Sequence, residues 1–279
     1  MEDTDNEARS LNLANWESRV PHHLTGYRIA PLLADPEALS GVVAFDRPRL
    51  GDIAGLETVH LQCHIGTDTL SLARLGARVT GLDFSPSAIA AARDLAARAG
   101  ATIEFVVSDV DAAPDVLGRE RFDLVYTGIG ALNWLPDIRR WAAVVAALLR
   151  PGGRLFIREG HPVLQAMSDP RDDELLVIEY PYFETPGGTR FHGPVSYVPH
   201  EGELDQPDTI EFNHGLGEVV TALLDEAMRL TALEEHRNVP WNALGDRLMV
   251  EGDDEEFRLR EGSERLPLSY TLQAVKETR

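Results

Sequence analysis

Within nine residues the chain sets out His60, Gln62, Cys63, His64, Gly66 and Asp68, and Asp83 follows 17 residues after Gly66. Residues 58–61 before this cluster are apolar, and the stretch from Thr69 is amphipathic. Apolar strand, glycine turn, helix and a second strand ending in an acid is the layout of a nucleotide-type cofactor site at the first turn of an α/β sheet. The glycine lets a ligand approach the backbone, and the acid accepts hydrogen bonds from ribose hydroxyls. Asp83 has a second reading, as a cap of the helix opened by Ser85-Pro86. The adjacent Cys63 and His64 invite a nucleophile or metal reading. No nearby cysteine or spaced histidine pair completes a zinc set, so no metal is expected and Cys63 is read as a small packing residue.

These residues need a sheet edge to stand on, and the following hundred residues supply one. Strands are predicted at 58–61, 78–83, 103–107, 122–126 and 154–158. Helices are predicted at 69–75, from Ser85 to about Gly100, and from Pro136-Asp137 to Pro151. Ser85-Pro86 is a hydroxyl N-cap with proline at the first helical position, and Gly76 suits a helix end. The alternation predicts a doubly wound, mostly parallel sheet with helices on both faces. Helix 216–227 and strands 229–236 and 266–275 follow, the two strands forming a late antiparallel pair. Residues 1–50 form an N-terminal helical cap, with a helix expected over 12–20. Residues 51–161 are the cofactor-binding core, and 162–212, rich in proline, glycine and aromatic residues, are an insertion over the site after the fifth strand. Residues 213–279 complete the core. The acidic loop 251–256 is expected to be solvated.

A dinucleotide fingerprint requires G-x-G-x-x-G, because a pyrophosphate packs onto a bare helix N-terminus. Gln62 and His64 would crowd it, whereas S-adenosylmethionine carries no phosphate. At this point the chain resembles the class I S-adenosylmethionine-dependent methyltransferases. The resemblance rests on Leu61-Gln62-Cys63-His64-Ile65-Gly66, Asp83, Ser108-Asp109-Val110, Phe122-Asp123-Leu124-Val125-Tyr126 and the turn Leu149-Arg150-Pro151-Gly152-Gly153-Arg154-Leu155, in order and at family spacing. It implies a Rossmann-like methyltransferase fold and S-adenosyl-L-methionine as cofactor. By the resemblance, Asp83 with Phe84 and Ser85 holds the ribose side, and Asp109 with Val110 meets the adenine amine. Leu61, Gln62, Cys63, His64, Gly66 and Asp68 hold the methionine portion, with Tyr126 and Thr127 completing the site. The sequence departs from the family where His60 replaces an acid and where Gln62 and His64 replace glycines. Asp68 is the substitute proposed for the missing acid, and the run LQCHxGxDTL marks a subgroup acting on small molecules.

Trp16 in the N-terminal helix is a candidate lid over the sulfonium, to which its ring offers a π face; plain packing is the other reading. Trp134 follows the fourth strand and either packs on adenine or lines the acceptor pocket. Methyl transfer is an in-line displacement that alignment and desolvation largely support. A base is needed only when the acceptor must lose a proton. His161, at the end of the fifth strand on the functional edge, and His214, after the insertion and before a helix, are the catalytic candidates, since histidine is the side-chain type suited to proton transfer near neutral pH; a structural or capping role is the alternative for both.

Composition bounds the reading. A net charge of −20 repels phosphate backbones, so nucleic acid is not an expected partner. No apolar run reaches the roughly 18–20 residues of a membrane span. The acidic start carries no leader-like apolar region, and a single cysteine suits a reducing, cytoplasmic setting. The expected function is methyl transfer to N, O, S or C of a small molecule. The rivals are a nicotinamide-dependent oxidoreductase and a non-methylating protein that binds adenosylmethionine. Oligomeric state and acceptor are not legible.

Overall fold

The computed structural model describes residues 2–198 and 202–278; residues 1, 199–201 and 279, which belong to the cap, the insertion and the C-terminal segment, lie outside the described residues. Helices α1 (Glu2–Gly26), α2 (Ile29–Ala34) and α3 (Gly41–Leu50) come first. Then β1 (Glu57–Leu61), α4 (Thr67–Arg74), β2 (Arg78–Asp83), α5 (Pro86–Arg98), β3 (Glu104–Val107), α6 (Ala113–Leu117), β4 (Phe122–Thr127), α7 (Ile138–Leu148) and β5 (Leu149–Gly160) alternate. Helix α8 (Pro162–Gln165) and the hairpin β6 (Thr189–His192) and β7 (Asp208–Glu211) follow. The chain closes with α9 (Leu216–Asp225), β8 (Met228–His236), β9 (Asn238–Val239), β10 (Met249–Glu251), β11 (Phe257–Leu259) and β12 (Ser269–Lys276).

Seven strands form one sheet in the order β3-β2-β1-β4-β5-β12-β8. The first five are mutually parallel, and β12 runs antiparallel between β5 and β8. The fold is therefore the expected doubly wound sheet with a late antiparallel pair. Strand β1 pairs with β2 on one side and β4 on the other, so the connections leave in opposite directions and a crevice opens at the carboxyl ends of β1 and β4.

Parallel strands sit between two helical layers and are apolar on both faces. Val59, Val125, Leu155 and Ile157 pack against Trp141 and Val145 of α7 and Val219 and Leu223 of α9. Leu124, Tyr126 and Phe156 face Val43 and Leu50 of α3 and Leu72 of α4. The caps form where the sequence put them: Ser85 accepts from Ala88 N, and Asp137 from Arg139 N and Arg140 N.

Two local expectations are corrected. Helix α1 spans 25 residues and runs through Pro21 rather than stopping at Val20. Proline removes one backbone donor, but tertiary contacts hold the helix: Asn12 Nδ2 donates to Ile210 O, Asn15 Nδ2 to Gln206 O, and Glu17 accepts from Ser87 N. The acidic loop is also not wholly solvated, because Glu256 is 2% exposed and grips Arg158.

Asp46 of α3 is fully buried and accepts the Tyr126 hydroxyl at 2.6 Å through Oδ2, while Oδ1 has no partner. Burial pushes its pKa to about 7; the Tyr126 hydroxyl and the Arg158 charge oppose that rise. A folded pKa raised above the unfolded one gives stability that is present in acid and lost as pH rises from about 4 to about 7. Relative to the parent, Asp46→Asn is expected to gain stability across that window, by on the order of 3–4 kcal/mol. Urea unfolding of both proteins at pH 4.5 and pH 8, as buffer settings, checks this; a parent–variant difference independent of pH refutes it.

Candidate functional site

The loop after β1 owes its shape to two residues in an unusual conformation. Gln62 and His64 have φ of +55° and +48°, the left-handed region normally left to glycine. The glycine-type backbone is thus kept although side chains have been added, at a cost of roughly 1 kcal/mol or more each. Gly66, φ +80°, could not be replaced as these were, since a Cβ there would stand 2.8 Å from the Ala92 Cβ.

Those added side chains, with their neighbours, furnish the crevice. Gln62 Nε2 donates to Ala131 O, and its Oε1 is buried without a partner. The buried hydroxyl of Thr127, paired in register with Leu61, is also unpartnered. Asp68 Oδ2 and His60 Nε2 converge on Gly128, each 3.5 Å from where a Cβ would stand. His60 Nδ1 bonds Thr69 Oγ1 at 2.9 Å, its ring lies edge-on to Tyr126, and burial lowers its pKa to about 3. It is a neutral ring, not a stand-in for an acid. Burial raises the pKa of Asp68, against a hydrogen bond from Ser40.

Asp83 ends β2 at the crevice and joins the two loops beside it. Oδ1 accepts Ser85 N at 2.9 Å and Oδ2 accepts His64 N at 2.8 Å, so it holds the residue that caps α5 and ties the two loops together. Each oxygen keeps a lone pair for a ribose hydroxyl. Burial raises its pKa to about 6, opposed by the two backbone donors. Phe84 continues this turn. Asp109 caps the following turn through Asp111 N, and its carboxylate is held by Arg9 of α1, with Nε 2.6 Å from Oδ2. Val110 packs into the main core. An adenine amine at Asp109 would share the carboxylate with Arg9. Cys63 is buried beside Ile89 and Phe105, burial chiefly raising its thiol pKa, as suits a packing residue.

Helix α1 lies across this edge. Trp16 stands edge-on to His64 at 4.9 Å and to Trp134 at 5.3 Å, so the cap tryptophan and the tryptophan after β4 meet over the loop. His23 Nδ1 lies 2.7 Å from His64 Nε2. Burial first, then the charge of Arg19, lowers the His64 pKa to about 3.

The two catalytic candidates separate. His161 caps α8 by accepting Val163 N at Nδ1, and its Nε2 donates to Glu235 Oε1 at 2.9 Å. Both nitrogens are engaged within the protein, which is the capping alternative. His214 Nε2 donates to Leu132 O and Leu135 O. Its Nδ1 is 2.8 Å from Glu184 Oε2 but makes no directed hydrogen bond there. His214 borders a small cavity with Asn133, Glu159 and Tyr270.

Sequence reasoning missed Glu159. Its carboxylate accepts from the backbone N–H groups of Gly130, Ala131, Leu132 and Gly160, at 2.6–2.8 Å, and so shapes the loop that carries Trp134. A charged residue at the end of an apolar strand was the available signal. Arg19, Tyr27 and Tyr197, which gather beside Trp16 and His64, had none. Among the described residues no group of three or more His, Cys, Asp or Glu side chains stands ready for a metal, and no helix is long and apolar enough to cross a membrane.

Residues 59–153 match the family described as Methyltransferase domain. A curated relative, the ubiquinone biosynthesis O-methyltransferase of Methylobacterium sp. (strain 4-46), is 36% identical over 104 residues, which are 37% of this chain and 41% of the relative. The chain thus spans less than half the length of that relative. The fold is that of an S-adenosylmethionine-dependent methyltransferase from Mesorhizobium loti, with TM-score 0.60 and 23% identity over 85% of this chain and 98% of the other. A putative enzyme of the same type from Listeria monocytogenes matches with TM-score 0.59 and 16% identity, over 85% and 99%.

Proposed function

We propose, because residues 59–153 match the family described as Methyltransferase domain, that the chain transfers a methyl group from S-adenosylmethionine to a small-molecule acceptor. One observation carries the cofactor assignment: the unpartnered Gln62 Oε1 and Thr127 Oγ1 and the half-buried Asp68 carboxylate gather at the carboxyl ends of β1 and β4. An ammonium and the polar end of an amino acid would answer those groups, and a pyrophosphate would be repelled by Asp68. The bound cofactor would supply a methyl group already activated by its sulfonium.

The chain's own residues would bind and align it. Asp68, Gln62 and Thr127 would hold the methionine end, Asp83 the ribose and Asp109 the adenine amine. Trp16 would cover the sulfonium and exclude water. The relatives' names favour oxygen as the acceptor atom, and a hydroxyl acceptor must lose its proton. His214 supports that role better than His161, because its Nδ1 is not tied to a backbone donor and faces a carboxylate. The single buried cysteine fits a reducing, cytoplasmic setting.

Calorimetric titration with adenosylmethionine, adenosylhomocysteine and NADH tests the reading. Binding of the first two in the micromolar range, about −8 kcal/mol, with no heat from NADH, is the expected result. Binding of NADH alone would favour the oxidoreductase and remove the assignments at Asp68 and Asp109.

A further inference from the structure

Arg19 is 8% exposed, yet among the described residues its guanidinium forms no ion pair. Among the described residues its one side-chain hydrogen bond is from Nε to Asn15 Oδ1, at 2.6 Å, and no carboxylate lies within ion-pair distance. Guanidinium carries five N–H donors, so most of them are unspent. The chain holds 46 acidic and 26 basic residues, so carboxylates are plentiful, and buried Arg158 does receive one. The remaining guanidinium N–H groups reach what little surface the residue keeps, so a mostly desolvated cation stands open to an incoming anion in a fold with acids to spare.

The surroundings point to a ligand. The guanidinium carbon is 5.5 Å from the Trp16 ring centroid and 5.9 Å from that of Trp134. The ionisable groups that act on it are Tyr197, Glu211 and Tyr27, and it acts in turn on His64. Glu211 is already engaged, accepting from Asn133 Nδ2 and Thr209 Oγ1. Tyr197 and Glu211 belong to the stretch after β5, while Asp68, from the first turn of α4, acts on both Tyr27 and Tyr197, so Arg19 lies where the insertion meets the crevice at the ends of β1 and β4.

We propose that Arg19 is the anion-recognition residue of the acceptor pocket, taking a carboxylate carried by the acceptor between the walls of Trp16 and Trp134. This rests on the methyl-transfer reading for the word acceptor only. The carboxylate of the cofactor's methionine end is the other source of the same chemistry, and the test separates the two.

The experiment compares the parent with Arg19→Met by calorimetry and thermal unfolding. Benzoate and the neutral benzamide are the probes, each titrated with and without saturating adenosylhomocysteine. The parent is expected to bind benzoate at least about tenfold more tightly than benzamide, and the variant to lose that preference while keeping its affinity for adenosylhomocysteine within about twofold. Its melting temperature should change little, because removing a mostly desolvated charge offsets the loss of the Arg19 Nε–Asn15 Oδ1 hydrogen bond. Equal binding of benzoate and benzamide by the parent overturns the proposal. So does a variant that melts well below the parent with its probe binding unchanged, since that is a structural arginine. A variant that loses adenosylhomocysteine but still binds methylthioadenosine, which lacks the amino-acid end, moves the anion to the cofactor and overturns the acceptor assignment. If the parent ignores adenosylhomocysteine, methyl transfer fails as a reading, while the titrations without it still decide whether Arg19 reads a carboxylate.

Discussion

Glu256→Ala is expected to lower the unfolding free energy by about 3–5 kcal/mol, the largest stability effect of any single change considered. Arg158 Nη1 donates to Glu256 Oε1 at 2.9 Å and Nη2 to Oε2 at 2.7 Å, and the side chains are 0% and 3% exposed. The guanidinium also lies 3.6 Å from the Phe45 ring centroid. Losing the carboxylate leaves a desolvated cation with only Ser269 Oγ, at 3.4 Å, within reach. The pair as a whole is a different matter. Its Coulombic gain is largely spent on desolvation, so Arg158→Met with Glu256→Leu should come within about 1–2 kcal/mol of the parent. Urea unfolding of Arg158→Met, Glu256→Leu and the double variant closes the cycle, with Glu256→Ala measured beside them. A loss below about 1 kcal/mol for Glu256→Ala would mean that Arg158 finds water or another partner, contrary to its burial. The pair also matters to the site. Glu256 pins the β10–β11 hairpin to β5, and that hairpin shares a core with Ile129, which follows β4, and Val163 of α8.

The second large effect falls on binding. Asp68→Asn is expected to weaken adenosylmethionine by about 10- to 150-fold, the equivalent of a charge-assisted hydrogen bond of roughly 1.5–3 kcal/mol. The carboxylate is half-buried, faces Gly128 beside His60, and would be the acid for the ammonium where the family's usual position holds a neutral histidine. Stability should change little or rise, because burial already disfavours the ionised form. Methylthioadenosine should bind parent and variant alike. The raised pKa fixes the sign of the pH dependence: affinity should fall on acidification, beginning at a higher pH than an ordinary carboxylate would give. Equal affinity of parent and variant for adenosylmethionine would remove Asp68 from the site and leave Gln62 and Thr127 to hold the methionine end.

Much of this protein was readable from local pattern. The alternation of apolar strands with amphipathic helices produced the parallel sheet, because each element's periodicity reports the face it buries. Ser85-Pro86 and Asp137 capped helices as expected, since capping is a contact between near neighbours. The position of Asp83 at the end of β2 followed from the same local reading.

What tertiary structure decided was which distant side chains meet. Nothing in the types of Gln62 and His64 announced that both would adopt the backbone of the glycines they replace; the surrounding loop, held by Asp83, imposes it. Arg158 and Glu256 are 98 residues apart, and Glu256 looked like one more acid in a solvated run until the hairpin folded it onto β5. Asp109 and Arg9 are 100 residues apart, and His161 and Glu235 are 74. Periodicity says that a residue faces inward but not what it will find there. The partners of buried charges are set by how the elements pack, and it is those partners that distinguish a capping histidine from a candidate base and a structural arginine from one waiting for an anion.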